Sequence, residues 1–134
     1  MRPRIAAIVA AGLVMPGALA LAPVAVADPT APLVDHVEWA KWGDLSSLRI
    51  YPTEAARQLA RQPGTAVQAW AEVLAAAPDA DLPGMYEQFV CHWDFAEFAE
   101  PGKSSWNIEP WRPEVSPDQM LATGCNPGGT EEPF

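Results

Sequence analysis

The sequence predicts a small α+β domain: an N-terminal β-hairpin, three to four short helices, an additional short strand and one disulfide. Three observations point there. Two runs rich in β-formers, residues 34–42 and 47–51, flank Gly43-Asp44-Leu45-Ser46, a turn-forming composition of hairpin length. Apolar residues then recur at helical spacing in segments punctuated by Pro63-Gly64, Pro78 and Pro83-Gly84. Finally, the chain holds two cysteines, Cys91 and Cys125.

Each element has a local reason. In the hairpin, Leu48 and Ile50 share one face, with Arg49 and Tyr51 on the other, while Val37 and Trp39 alternate with His36 and Glu38, so both strands should have one wet face. Pro52 closes the hairpin and Thr53 is an N-cap for a helix to Arg61. Thr65 should cap a second helix to about residue 77, with Val67, Trp70, Val73, Leu74 and Ala77 on one face. For residues 83–98 two periodicities compete. Met85, Gln88, Phe89, His92, Trp93 and Ala96 fit one helical face, whereas Phe89, Cys91, Trp93 and Phe95 alternate as in a strand; the length favours a helix. Residues 105–108 suggest a short strand that Pro110 and Pro113 confine to an edge. Ser116-Pro117-Asp118-Gln119 opens a last helix, ended by Gly124.

The first 27 of the 134 residues differ from the rest. Arg2 and Arg4 precede an apolar run over residues 5–22, broken at Gly12, Pro16 and Gly17, and Ala25-Val26-Ala27 follows. A positive start, an apolar stretch and an A-x-A site describe a secretory signal peptide, with cleavage expected after Ala27. The run approaches the roughly 17 to 25 residues that span a bilayer. Its helix-breaking Pro16-Gly17 and its many alanines favour cleavage over anchoring, and no cysteine is placed for lipidation. After an extended arm at 28–33, a single domain is expected over 34–127, then a flexible acidic tail at 128–134.

The chain carries 8 basic and 17 acidic residues, a formal net charge of −9. Losing Arg2 and Arg4 with the leader would take the exported part to about −11. Nucleic acid is bound through Lys and Arg that displace counterions, and anionic headgroups also attract bases, so neither partner is expected. The charge instead favours a soluble monomer, with an envelope protein or glycan as partner.

Chemistry-bearing residues are few. In an oxidising compartment Cys91 and Cys125 most simply form a disulfide. His92 is the single best catalytic candidate, with Glu109 and Arg112 as helpers in a secreted hydrolase or toxin-like enzyme, although histidines held in a core are commoner than general bases. A third possibility makes Glu109 and Arg112 a local salt bridge fixing a Pro-rich loop. No C-x-x-C, H-x-x-x-H, P-loop or nucleophile-elbow spacing is present, and neither metal nor cofactor is expected. All six tryptophans follow the leader. Trp70 and Trp93, on apolar helical faces, should fill the core. Trp39, Trp42, Trp106 and Trp111 lie beside charged residues and offer a flat platform for a cell-wall sugar, against core packing as the blander use.

The strings Gln88-Phe89-Val90-Cys91-His92, Trp106-Asn107-Ile108-Glu109-Pro110-Trp111-Arg112-Pro113 and Cys125-Asn126-Pro127, with Val37-Glu38-Trp39, resemble a family of small exported domains of unknown function, frequent in mycobacteria and other actinobacteria. The resemblance covers roughly residues 34–129. It implies export and paired cysteines but no activity and no catalytic residues. Intact mass tests both expectations: the exported protein should begin at Asp28 and be about 2 Da lighter than its dithiol form. Free thiols would refute the disulfide.

Overall fold

In the computed structural model, which describes residues 17, 21–23, 28 and 30–129, the hairpin forms as its alternation requires. Most of the leader and the tail beyond Gly129 lie outside the described residues. β1 (Val34–Trp42) and β2 (Leu45–Pro52) pair antiparallel, with Val37 opposite Ile50 and Trp39 opposite Leu48. The turn is shorter than its composition suggests. Leu45 and Ser46 belong to β2, leaving Gly43-Asp44 as a two-residue connection whose first position has φ 58°, a conformation glycine adopts without steric cost.

β3 (Trp106–Ile108) adds antiparallel to the other edge of β2, giving a sheet of order β1-β2-β3. Ile50 faces Trp106 and Leu48 faces Ile108, so these four side chains share one buried face. The prolines at 110 and 113 therefore stand just past an edge strand, where a missing N–H costs no ladder bond.

The helices cover that face. α1 (Glu54–Leu59) starts as expected, the Thr53 hydroxyl accepting the Ala56 N–H at 3.1 Å. α2 (Thr65–Ala76) is preceded by Gly64 in the cap position, and Thr65 is its first residue; its hydroxyl donates to the Gln62 carbonyl at 2.8 Å. The buried face of α2 is Ala66, Ala69, Trp70 and Val73, continued by Ala77. Val67 is the exception to the sequence assignment: a rotation of the apolar stripe leaves it 61% exposed. Residues 85–99 are helix throughout (α3, Met85–Ala99), which settles the competing periodicities. α4 (Pro117–Ala122) begins at Ser116, whose hydroxyl accepts the Gln119 N–H.

Aromatic rings tie the layers together. Trp70 of α2 lies 5.3 Å from Phe89 of α3, Phe89 lies 6.0 Å from Trp93, and Trp93 meets Trp106 of β3 edge-on at 5.8 Å. The Trp93 indole donates to the Thr65 hydroxyl at 3.1 Å. Leu33, assigned by sequence to the extended arm, is core. Its N–H and that of Val34 both bond the Glu72 carboxylate of α2, at 2.8 and 2.9 Å, and its side chain is 1% exposed.

Cys91 and Cys125 are bonded, with their Cα atoms 5.6 Å apart. Closing a separation of 34 residues stabilises the fold by roughly 3 to 4 kcal/mol on the chain-entropy estimate. The bridge carries α4 against α3, where Met120 and Val115 complete a small second cluster around the sulfurs.

One polar network lies inside this frame. Glu109 and Arg112 pair at 2.5 Å with both side chains about 1% exposed. The other Glu109 oxygen accepts from the Ser47 hydroxyl at 2.8 Å, and Arg112 Nη1 donates to the Pro127 carbonyl at 3.1 Å. The Gln88 side chain bonds the Glu109 backbone twice, accepting its N–H and donating to its C=O, each at 2.9 Å. Next to Pro127, Gly128 has φ 86° and lies over Pro113 so closely that a Cβ there would meet the ring at 2.4 Å.

A half-broken buried ion pair is far worse than none, because the surviving charge has no water to return to. Glu109→Ala should therefore cost about 3 to 5 kcal/mol in urea unfolding, with the double replacement Glu109→Leu/Arg112→Met recovering much of that loss. Single-variant losses below about 1 kcal/mol would show the pair to be incidental.

Candidate functional site

The structure buries all three residues of the catalytic set suggested by sequence, His92, Glu109 and Arg112. His92 is buried on α3 at 6% exposure, and its Nε2 has no hydrogen-bond partner among the described residues. Burial pushes its pKa down to about 4; the nearby Glu109 charge and a hydrogen bond with the Asn107 backbone favour the protonated ring but do not offset desolvation. His92 is thus a neutral imidazole at physiological pH. The carboxylate it would need is already taken, since the two Glu109 oxygens bond Ser47 and Arg112. Arg112 in turn serves Pro127 and stacks its guanidinium 4.5 Å over the Trp111 ring.

The four tryptophans of the suggested platform differ in burial. Trp106 is core, 1% exposed against Trp93, so it offers no surface to a ligand. Trp39 is half-buried and donates to Asp79 at 3.2 Å. Trp42 and Trp111 do meet, edge to face at 6.2 Å, but the Trp111 N–H is spent on the Ser46 carbonyl at 3.1 Å and Arg112 lies over its ring. What remains of the platform is one edge-on pair of half-buried rings. Among the described residues no three His, Cys, Asp or Glu side chains gather to hold a metal ion.

Accessible concavities run along α3, and His92 contributes to the lining of one of them. A cavity of about 400 Å³ opens between α3 and α4, lined by Tyr86, Val90 and Phe95 on one side and by Val115, Met120 and Leu121 on the other. Glu87, Asp94 and Asp118 also line it, and no Lys or Arg does. A second cavity, about 430 Å³, shares Tyr86, Val90, Asp94 and Phe95 and is walled by residues 61–67, including the exposed Val67. A third, about 330 Å³, continues past Phe95 and Leu121 toward Phe98, Lys103 and Asn126. The three adjoin along one helix, with Phe95 common to all. Phe98 and Leu121 are 69% and 50% exposed, and the Arg61 guanidinium sits 4.7 Å over the Phe98 ring. Desolvation against this surface raises the Asp94 pKa, which Arg61 partly opposes.

The sequence reading missed this groove, though α3 carried a signal for it. Tyr86, Val90, Phe95 and Phe98 fall off the face formed by Met85, Phe89 and Trp93, making the helix apolar around much of its circumference. A helix of that kind covers its second face with something.

Because His92 folds neutral and unfolds into water with an ordinary pKa near 6.5, the unfolded chain binds its proton first as pH falls. Its contribution to stability is complete above pH 6.5 and is lost toward pH 4, about 3 kcal/mol in all. Urea midpoints measured at pH 7, 5.5 and 4 should therefore fall more steeply for the parent protein than for His92→Gln. Parallel curves would mean that His92 is solvated in the folded state.

Residues 34–128 match the family described as a protein of unknown function (DUF2599). Uncharacterized proteins of Mycobacterium tuberculosis and Mycobacterium bovis are each 58% identical to this chain over 109 residues, covering 79% of it and 74% of their own length. An uncharacterized protein of Mycobacterium leprae is 46% identical over 102 residues, covering 75% of this chain and 83% of its own. No solved structure matches. With a family match over residues 34–128, more than half of the chain, and relatives of this identity, the chain belongs to the DUF2599 family of proteins of unknown function.

Proposed function

We propose that this protein is an exported, acidic interaction module of the cell envelope or medium, acting through the α3 groove by binding rather than catalysis. One observation carries the reading: Glu109 and Arg112 are buried and bonded to each other and His92 is buried, while the accessible concavity between α3 and α4 is largely apolar and includes Phe95. An imidazole whose pKa burial lowers to about 4, with the Glu109 carboxylate already bonded to Ser47 and Arg112, is a weak general base, which weighs against the hydrolase alternative built on His92, Glu109 and Arg112. Export is supported by the composition of residues 2–27 and by a disulfide that persists in oxidising compartments. No helix among the described residues is long and apolar enough to cross a membrane.

Of the two partner classes, an envelope protein suits the groove better than a glycan. Beside its rings, Tyr86 and Phe95, the groove is lined by Val90, Val115, Met120 and Leu121, aliphatic surface that suits apolar protein side chains better than sugar hydroxyls, and the half-buried Trp42–Trp111 pair lies outside it.

Retention of the exported protein on mycobacterial envelope preparations separates the surfaces. The parent protein should be retained, Phe95→Lys/Leu121→Lys should lose about tenfold or more in affinity, and Trp42→Ala should behave like the parent. Loss with Trp42→Ala alone would move the site to the tryptophan pair, and absence of retention by the parent would remove the envelope-binding reading.

A further inference from the structure

We propose that the occupant of the α3 groove is a basic amphipathic helix of a partner protein, about three turns long. This rests on the reading of the groove as the binding surface and adds the chemistry of what fills it.

Shape argues for a helix. The floor is the outward side of α3, with Tyr86, Val90 and Phe95 spaced along it, and α4 and the 61–67 corner form the walls. The floor and the α4 wall are helices, whose backbone bonds are internal, and neither the 61–64 turn nor Val115 belongs to a strand, so the groove offers no strand edge to pair with an extended peptide. A ligand entering such a groove must satisfy its own backbone, which an α-helix does. From Tyr86 to Phe98 the floor runs about 18 Å at 1.5 Å per residue, matching about twelve residues of a docked helix. Residues at i, i+3, i+4 and i+7 of that helix would meet Phe95, Leu121 and Val67.

Charge decides what flanks the apolar stripe. Around the α3–α4 cavity stand Glu87, Asp94 and Asp118, and the lining includes no cation. Arg61 and Lys103 belong to the flanking cavities. Lysines or arginines beside the stripe would pair with the three carboxylates, steering association and setting orientation. The same field disfavours other occupants. A second copy brings its own formal charge of −9 to an already acidic rim, and an anionic lipid surface is likewise repelled.

The test uses the full oxidised protein and synthetic peptides. One fourteen-residue Leu/Lys peptide carries its leucines at i, i+3, i+4 and i+7; a second has the same composition in an order without a stripe; a third replaces Lys by Glu. The striped Leu/Lys peptide should bind saturably, weaken as salt is raised, and shift amide resonances in residues 85–98 and 115–121. Phe95→Ser and, separately, Asp94→Asn/Asp118→Asn should each weaken it about tenfold, with amide spectra showing that both variants are folded. The permuted and Leu/Glu peptides should bind at least about tenfold more weakly than the striped one.

Equal binding of the permuted peptide, or no effect of Phe95→Ser, would reduce the interaction to bulk charge and overturn the proposal. So would concentration-dependent dimerisation through the same residues, which assigns the groove to a second copy. Envelope retention that depends on Phe95 without binding of the striped peptide would sink the basic helix but leave the binding surface standing. Failure of both would remove the binding surface as well.

Discussion

Glu109 and Arg112 meet where water does not reach, and four parts of the chain are needed to make that tolerable. Ser47 comes from β2, Gln88 from α3, the pair itself from the loop after β3, and the Pro127 carbonyl from the C-terminal segment. Ions lose several kcal/mol each on leaving water, and only a fully satisfied cluster offsets that loss. The network therefore works as a registration device: each segment must arrive at its place for the carboxylate and guanidinium to be compensated. It also explains the three strings that stand out in the sequence. Gln88 holds the Glu109 backbone, Trp106 and Ile108 fill the core on either side of Asn107, Trp111 stacks on Arg112, and Cys125 positions Pro127. These strings build the interior.

The division between a committed interior and an open groove links compartment to function through the disulfide. α4 spans only Pro117–Ala122, too short to be stable alone. Its hold on α3 rests on the Cys91–Cys125 bridge and the few apolar residues around it. Since α4 is one wall of the acidic groove, oxidation completes the surface assigned to binding. In a reducing compartment the wall would lose its covalent tie and rest on the packing of Met120 and Val115 and on the Arg112 bond to Pro127 beyond it.

Much of the fold was legible because it is written locally. Alternation placed Leu48 and Ile50 on the inner face, hydroxyl residues marked the starts of α1 and α4, and the even cysteine count gave the bridge. What was illegible depends on tertiary packing. Leu33 enters the core because Glu72, 39 positions later, caps its N–H. Val67 leaves the core because α2 is rotated to bring Ala66 and Ala69 inward. Trp106 could join a platform or pack inward by its sequence alone, and its pairing opposite Ile50 across the sheet puts it in the core. The α3 groove was the least readable part, since it is the sum of residues from α3, α4 and the 61–67 corner that no single stretch brings together.

Native-state hydrogen exchange at the Glu109 amide tests the central claim most directly. That N–H is bound by the Gln88 side chain inside the network, not by a strand or helix ladder. If the network registers the whole fold, the amide exchanges only through global unfolding, with the same opening free energy and denaturant dependence as Ile50 on the central strand. Exchange through a cheaper local opening, with Ile50 still protected, would show that the loop around Glu109 detaches while the domain stays folded, contradicting the account.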